Sequence, residues 1–210
     1  MTRPHCQDAF RRKVHGLALG RQAFALGLVT ASVTWTIVFI SSVPSAQAQS
    51  RPNEYQVKAA YLYNFGRFIQ WPTSAAATKS DPFTICVLGQ DPFGSALNTT
   101  LVAEAINGQN VVARRIPSPQ DALSCRILFI SSSESDRLKQ ILAILGDASV
   151  LTVSDLPQFT QRGGMVQLVL DGNKVRFEVN LTPVERAHLA MSSQLLKVAV
   201  NLRRSDQLGD

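Results

Sequence analysis

Short apolar runs alternate along this chain with stretches of helical character, and that rhythm restricts the available folds more than any other feature. "FTICVLG" (Phe83 to Gly89), "RILFIS" (Arg126 to Ser131) and "SVLTVSD" (Ser149 to Asp155) are too short for helices and read as buried strands. "NVVARRI" (Asn110 to Ile116) alternates like a half-exposed strand. Between them, Asp91-Pro92 offers an N-cap and a first-turn proline for a helix reaching about Ala105. A second helix is predicted over Ser133 to Leu145, with start signals at Ser133 and Asp136. Two strand-like runs in Met165 to Asn180 flank Asp171-Gly172-Asn173, a hairpin signal. Val175, Phe177 and Val179 alternate there with Arg176, Glu178 and Asn180, so this strand has one wet face. Thr182-Pro183-Val184-Glu185 supplies an N-cap, a first-turn proline and a capping-box glutamate. Helical sequence is read from there to about Arg203, with a break at Ser192-Ser193. Parallel strands need crossover helices and hairpins do not. The pattern therefore predicts one compact α/β domain with a mixed sheet, parallel at first, and helices on both faces.

What precedes this domain sets its address. Residues 1 to 21 carry Arg3, Arg11, Arg12, Lys13 and Arg21 against one acid, Asp8. An uncharged apolar run of 18 residues follows, Ala23 to Ile40, and then a short polar stretch with Pro44 that ends in Ala46-Gln47-Ala48. These are the three parts of a secretory signal peptide, cleaved after Ala48; an uncleaved membrane anchor is the alternative, since the run approaches bilayer length. Both readings deliver the rest of the chain outside the cytoplasm, to the periplasm. The expected organisation is a signal peptide at 1–48, a short lead at 49–53, the domain at 54–203 and a tail at 204–210, with a loop at 73–82 closed by Asp81-Pro82.

Export changes the charge balance. The chain has 21 basic and 15 acidic residues, a net of +6. Residues 1–48 take five of the former and one of the latter, leaving 16 against 14, a net of +2. The basicity belongs mainly to the signal, which removes the charge argument for nucleic-acid binding. Of the histidines only His188 remains, and of the cysteines only Cys86 and Cys125. Two cysteines in an exported chain point to one disulfide, with two buried free thiols as the alternative. Two Cys and one His cannot complete a zinc site without carboxylates, so no metal and no cofactor is expected.

"YLYNFGRFIQWP" opens the domain with five aromatics, Tyr61, Tyr63, Phe65, Phe68 and Trp71, on a helix predicted over Glu54 to Trp71 and stopped by Pro72. Tyr55, Ala59, Leu62, Gly66 and Ile69 form one helical stripe; Val57, Tyr61, Phe68 and Trp71 form a second. A surface helix needs one such stripe, so one is expected to pack on the sheet and the other to meet a second surface. That surface is either the chain's own loop or C-terminal helix, or a partner or second protomer; insertion at a membrane interface is a third reading. Leu189, Leu195, Leu196, Val198 and Val200 make the C-terminal region equally apolar. With Tyr61, Phe68 and Trp71 they form the candidate partner-binding patch, the alternative being that all of it is core.

Six segments, in order, resemble the YfiR family: "VKAAYLYNFGRFIQWP", "ICVLGQDPFG", a cysteine just before "RILFIS", "VLTVSD", "GGMVQLVLDGNKVRFEVNL" and "SSQLLKVAV". The resemblance spans nearly all of residues 54 to 203. It implies a periplasmic α/β domain without catalysis. It further implies that this domain restrains an inner-membrane diguanylate cyclase of the YfiN type by binding its periplasmic part, so lowering cyclic-di-GMP signalling and biofilm formation. An outer-membrane lipoprotein relieves the restraint in the best-understood branch. The match at Cys86 and Cys125 implies the family's structural disulfide. Some members carry a second cysteine pair; this chain does not, so redox control through that pair is not expected here.

The residues themselves argue against an enzyme. His188 would have to serve as base in a Ser–His–acid arrangement, but it lies in predicted helix and no Gly-x-Ser-x-Gly elbow exists. "GQDPFGS" has glycines at the Walker spacing, yet Ser95 stands where lysine is required. Gly89, Asp91, Gly94 and Ser95 remain a candidate anion or small-ligand site, because a strand feeds a helix N-terminus there. Gly163-Gly164 is a second candidate cradle or simply a turn, and Asp155 and Asp171 read as cap and turn residues. The competing function is therefore a periplasmic small-ligand sensor for another membrane signalling system.

Overall fold

The computed structural model describes residues 53–72 and 81–204. The predicted signal peptide, its cleavage site, the lead up to residue 52, the loop at 73–80 and the tail from 205 lie outside the described residues. The elements in chain order are α1 (Glu54–Phe68), β1 (Ile69–Gln70), β2 (Phe83–Leu88), α2 (Ser95–Leu101), β3 (Ala105–Ile106), β4 (Gln109–Ile116), β5 (Ile127–Ile130), α3 (Leu138–Leu145), β6 (Leu151–Ser154), β7 (Val166–Asp171), β8 (Lys174–Asn180), α4 (Leu181–Arg186), β9 (Ala190–Met191), α5 (Ser193–Val198) and β10 (Asn201–Arg203). Two 3-10 turns, Pro119–Ser124 and Ser132–Arg137, lead into β5 and α3.

The strands form an eight-stranded sheet in the order β10-β8-β7-β6-β5-β2-β4-β3. Strands β4, β2, β5, β6 and β7 are parallel, β8 turns back on β7 through Gly172-Asn173, and β10 runs parallel to β8. The mixed, initially parallel sheet read from the sequence is thus present. Its strands β2, β5 and β6 are buried along their whole length, because both faces are covered. On one face Ile85, Val87, Phe129, Val153 and Phe177 pack with Leu62 and Phe65 of α1 and Leu97 of α2. On the other, Leu88, Leu128 and Ile130 pack with Leu138 and Ile141 of α3 and with Phe159. The Cys86–Cys125 disulfide joins this second layer, tying mid-β2 to a position two residues before β5 with Cα atoms 6.0 Å apart.

Four helices depart from their predicted lengths. The one predicted over Ser133 to Leu145 begins only at Leu138, because Ser132–Arg137 is a 3-10 turn whose cap, Ser131, accepts from the Ser133 N–H. The other three differ as follows. The first stops at Phe68, not Trp71. Ile69 is extended, and the Phe68 carbonyl accepts from the Ser192 N–H at 2.9 Å, which starts the antiparallel β1–β9 pair. The second starts at Ser95 instead of Asp91. The Asp91 carboxylate accepts from the Phe93 N–H at 2.8 Å in a local turn, and Gly94 at φ +55° is the N-cap. This helix ends at Leu101, because Asn107-Gly108 (φ +53° and +80°) folds β3 back onto β4. The long C-terminal helix is two short helices separated by a strand. Asn180, not Thr182, caps α4 by accepting from the Thr182 N–H. His188 adopts φ +56° and ends it. Ser192 then caps α5, accepting from the Leu195 N–H at 3.2 Å, and residues 201–203 are strand.

Candidate functional site

The aromatic helix is first a packing device. Phe65 meets Phe177 edge-on at 5.2 Å, and Tyr61 meets Phe177 at 5.7 Å. The Tyr61 hydroxyl donates to the Val175 carbonyl at 3.0 Å, so α1 is latched to β8 by its polar tip as well as its ring. Trp71 stands edge-on to Phe83 at 5.2 Å. Gly66 allows this approach: a Cβ there would lie 2.4 Å from Ile106 and 3.1 Å from the Phe83 ring.

The candidate patch divides accordingly. Leu189 and Leu195 are buried, while Tyr61, Phe68, Trp71 and Leu196 are half-buried. Tyr61, Phe68 and Leu195 come together in an apolar groove of about 300 Å³ between α1 and α5, floored by Phe65 and Phe177 and closed by Val198. Trp71 faces Phe83 instead, and Leu189 belongs to the core. In the C-terminal segment the apolar side chains most open to solvent are Val198, the last residue of α5, and Val200 and Leu202 after it, 59%, 50% and 45% exposed.

The second candidate group, at the carboxyl end of β2, sits where neighbouring connections leave in opposite directions, the place where open α/β sheets bind ligands. Here the chain's own groups are paired with one another. The Gln90 N–H donates to Ser133 Oγ at 2.9 Å, and Ser133 and Glu134 occupy the space beside Gly89. Asp91 accepts from Arg115 Nε at 2.8 Å, and the Gly94 carbonyl accepts from Arg115 at 2.9 Å. Ser95 opens the seven-residue helix α2. Gly164 is likewise occupied, since a Cβ there would fall 2.1 Å from the buried Phe159 ring.

Sequence reasoning missed a charged cluster. Asp155, read as a cap, accepts from Lys58 Nζ at 2.6 Å and from the Tyr55 hydroxyl at 3.1 Å; Glu54 lies 2.5 Å from the same ammonium. Lys58 is only 3% exposed. Burial pulls its amine down, but hydrogen bonds to Asp155 and Glu54 outweigh this and hold it above the ordinary lysine value. Burial, together with the Asp155 charge, pushes the Tyr55 phenol up. His188 is exposed and ends α4. Among the described residues no group of three or more His, Cys, Asp or Glu is placed to hold a metal, and no helix is long and apolar enough to cross a membrane.

A model of the YfiR/HmsC-like family matches residues 55–200. A conserved domain protein from Vibrio cholerae has a similar fold, with a TM-score of 0.50 at 9% identity over 71% of this chain. The ABC domain in complex with L-Trp from Streptococcus pneumonia is more distant, with a TM-score of 0.47 at 10% identity over 72% of this chain. The match covers 60% and 62% of the lengths of those two chains. The chain belongs to the YfiR/HmsC-like family.

Proposed function

From that membership as premise, we propose that this chain is a non-catalytic periplasmic regulator. In this reading it binds the periplasmic part of an inner-membrane diguanylate cyclase and restrains it, which lowers cyclic-di-GMP; an outer-membrane lipoprotein relieves the restraint. The observation that carries the reading is the family match over residues 55–200. Two features agree with it. The N-terminal 48 residues have the composition of an export signal, and a buried disulfide suits an oxidising compartment. The surface favoured for the contact is the groove between α1 and α5 with the exposed valines beside it.

The small-ligand reading shares that apolar groove and has no further support at the glycine loop after β2, which is engaged by Arg115 and Ser133. Cross-linking and affinity capture of the tagged exported chain from envelope extracts tests the first reading. The expected partner is a membrane protein with a cytoplasmic diguanylate cyclase domain. Recovery of the chain without any such protein, from cells expressing the cyclase, contradicts it.

A further inference from the structure

We propose that the sheet face turned away from α1 carries a binding site for a small, doubly charged oxyanion, a phosphate monoester or a dicarboxylate, held by Arg114 and Arg126. The site lies at the amino ends of the parallel strands, whereas the glycine loop lies at their carboxyl ends. It stands independently of the cyclase reading.

Register places the two arginines together. Ile85 and Ile127 pack on the α1 side, so their neighbours Thr84, Cys86 and Arg126 face the other way. Arg114 of β4 pairs with Cys86 of β2, and the Arg126 N–H donates to the Thr84 carbonyl at 2.9 Å. Residues in register share a face, so both arginines flank β2 on one side, about 10 Å apart across two strand spacings. The 3-10 turn Pro119–Ser124 and residues 148–150 wall them in, leaving a cavity of about 640 Å³. The disulfide fixes one wall, because Cys125 lines the cavity beside Ser124 and is tied to β2 at Cys86.

Charge points to an anion. Arg126 is half-buried, and its guanidinium has no hydrogen-bond or ion-pair partner among the described residues. Arg114 makes one contact, donating to Ser124 Oγ at 3.3 Å. Arg115, the next residue, points to the opposite face and is committed there to Asp91, Asn98 and the Gly94 carbonyl. Asp81 is the one carboxylate lining the cavity, so two guanidinium groups leave the lining positive. A half-buried cation without a counter-charge favours an incoming anion. Guanidinium forks match phosphate and carboxylate oxygens in pairs, and two forks suit two negative charges. The volume fits a small molecule and no larger partner. Pro82, Val150 and the 57% exposed Leu123 offer apolar surface to its carbon body.

Titration of the exported chain with glycerol 3-phosphate, succinate and acetate, followed by amide chemical shifts, tests the site. Glycerol 3-phosphate or succinate is expected to bind saturably and to shift the amides of Thr84, Ser124 and Arg126. The tighter of the two tells phosphate ester from dicarboxylate, and added salt should weaken it. Arg114→Ala and Arg126→Ala should each weaken binding by about tenfold or more, with the unliganded chain melting close to wild type. Lys139→Ala, at an exposed position of α3, should bind as wild type does. No saturable shift with either dianion overturns the proposal, and so does acetate binding as tightly as both. Undiminished binding by the double variant Arg114→Ala/Arg126→Ala overturns it too. The wild-type shift map decides the matter even where a variant fails to fold, and none of these outcomes bears on restraint of a cyclase.

Discussion

Lys58 Nζ lies 2.6 Å from the Asp155 carboxylate and joins the aromatic helix to the end of β6 inside the fold. Removing one partner of a buried pair strands the other charge. Lys58→Met is expected to lower stability by about 3 kcal/mol, the low end of the range because Glu54 stays partly solvated. Denaturant unfolding of the two proteins checks this.

The same pair sets a pH dependence. The folded-state pKa of Lys58 is raised, so its contribution is fully present below the unfolded value of 10.5 and is lost as pH rises through the folded value. The raised Tyr55 acts in the same direction. Melting temperature should therefore fall in the alkaline range above about pH 10, and less steeply in Lys58→Met. Equal slopes for the two proteins would contradict the assignment.

Cys86 and Cys125, 39 residues apart in sequence, should show no free thiol in the denatured exported protein until reductant is added. Cys125→Ser should lower stability by up to about 4 kcal/mol by the loop-closure argument. Two titratable thiols without reductant would rule the bridge out in the native protein.

Gly164 is a packing position and not a ligand cradle. Gly164→Ala pushes a methyl group into the Phe159 ring, which is fully buried, and is expected to destabilise by about 1–3 kcal/mol. A melting temperature equal to wild type would return the glycine pair to consideration as a binding loop.

The candidate patch should divide under mutation as it does in space. Phe65→Ala removes a fully buried ring and should cost about 3–5 kcal/mol. Trp71→Ala, which strips a contact from Phe83, should also lower the melting temperature. Phe68→Ala and Leu196→Ala, at half-buried positions, should weaken partner binding by more than about 1 kcal/mol with a smaller effect on melting. If every variant that loses binding is also grossly destabilised, these residues are core.

The strands of the parallel sheet were legible because burial on both faces leaves short continuous apolar runs, such as Ile127–Ile130. The hairpin at Gly172 was legible from its turn residues. The helix ends were not, because they are set by partners distant in sequence. Phe68 ends α1 by pairing with Ser192, and nothing near Phe68 announces that. Two signals were present and outweighed. Asn107-Gly108 is a strong hairpin dipeptide, hidden by the helical pattern before it. Asn201–Arg203 alternates polar and apolar as strand β10 does, hidden by the apolar helix-like run from Leu195. The Lys58–Asp155 pair, 97 residues apart, has no sequence signature at all.

If the chain restrains a membrane cyclase, cyclic-di-GMP in a clean deletion strain rises over wild type, and the rise is reversed by the intact gene and absent when the partner cyclase is also deleted. Unchanged cyclic-di-GMP in the single deletion, with the cyclase shown to be expressed, would contradict it.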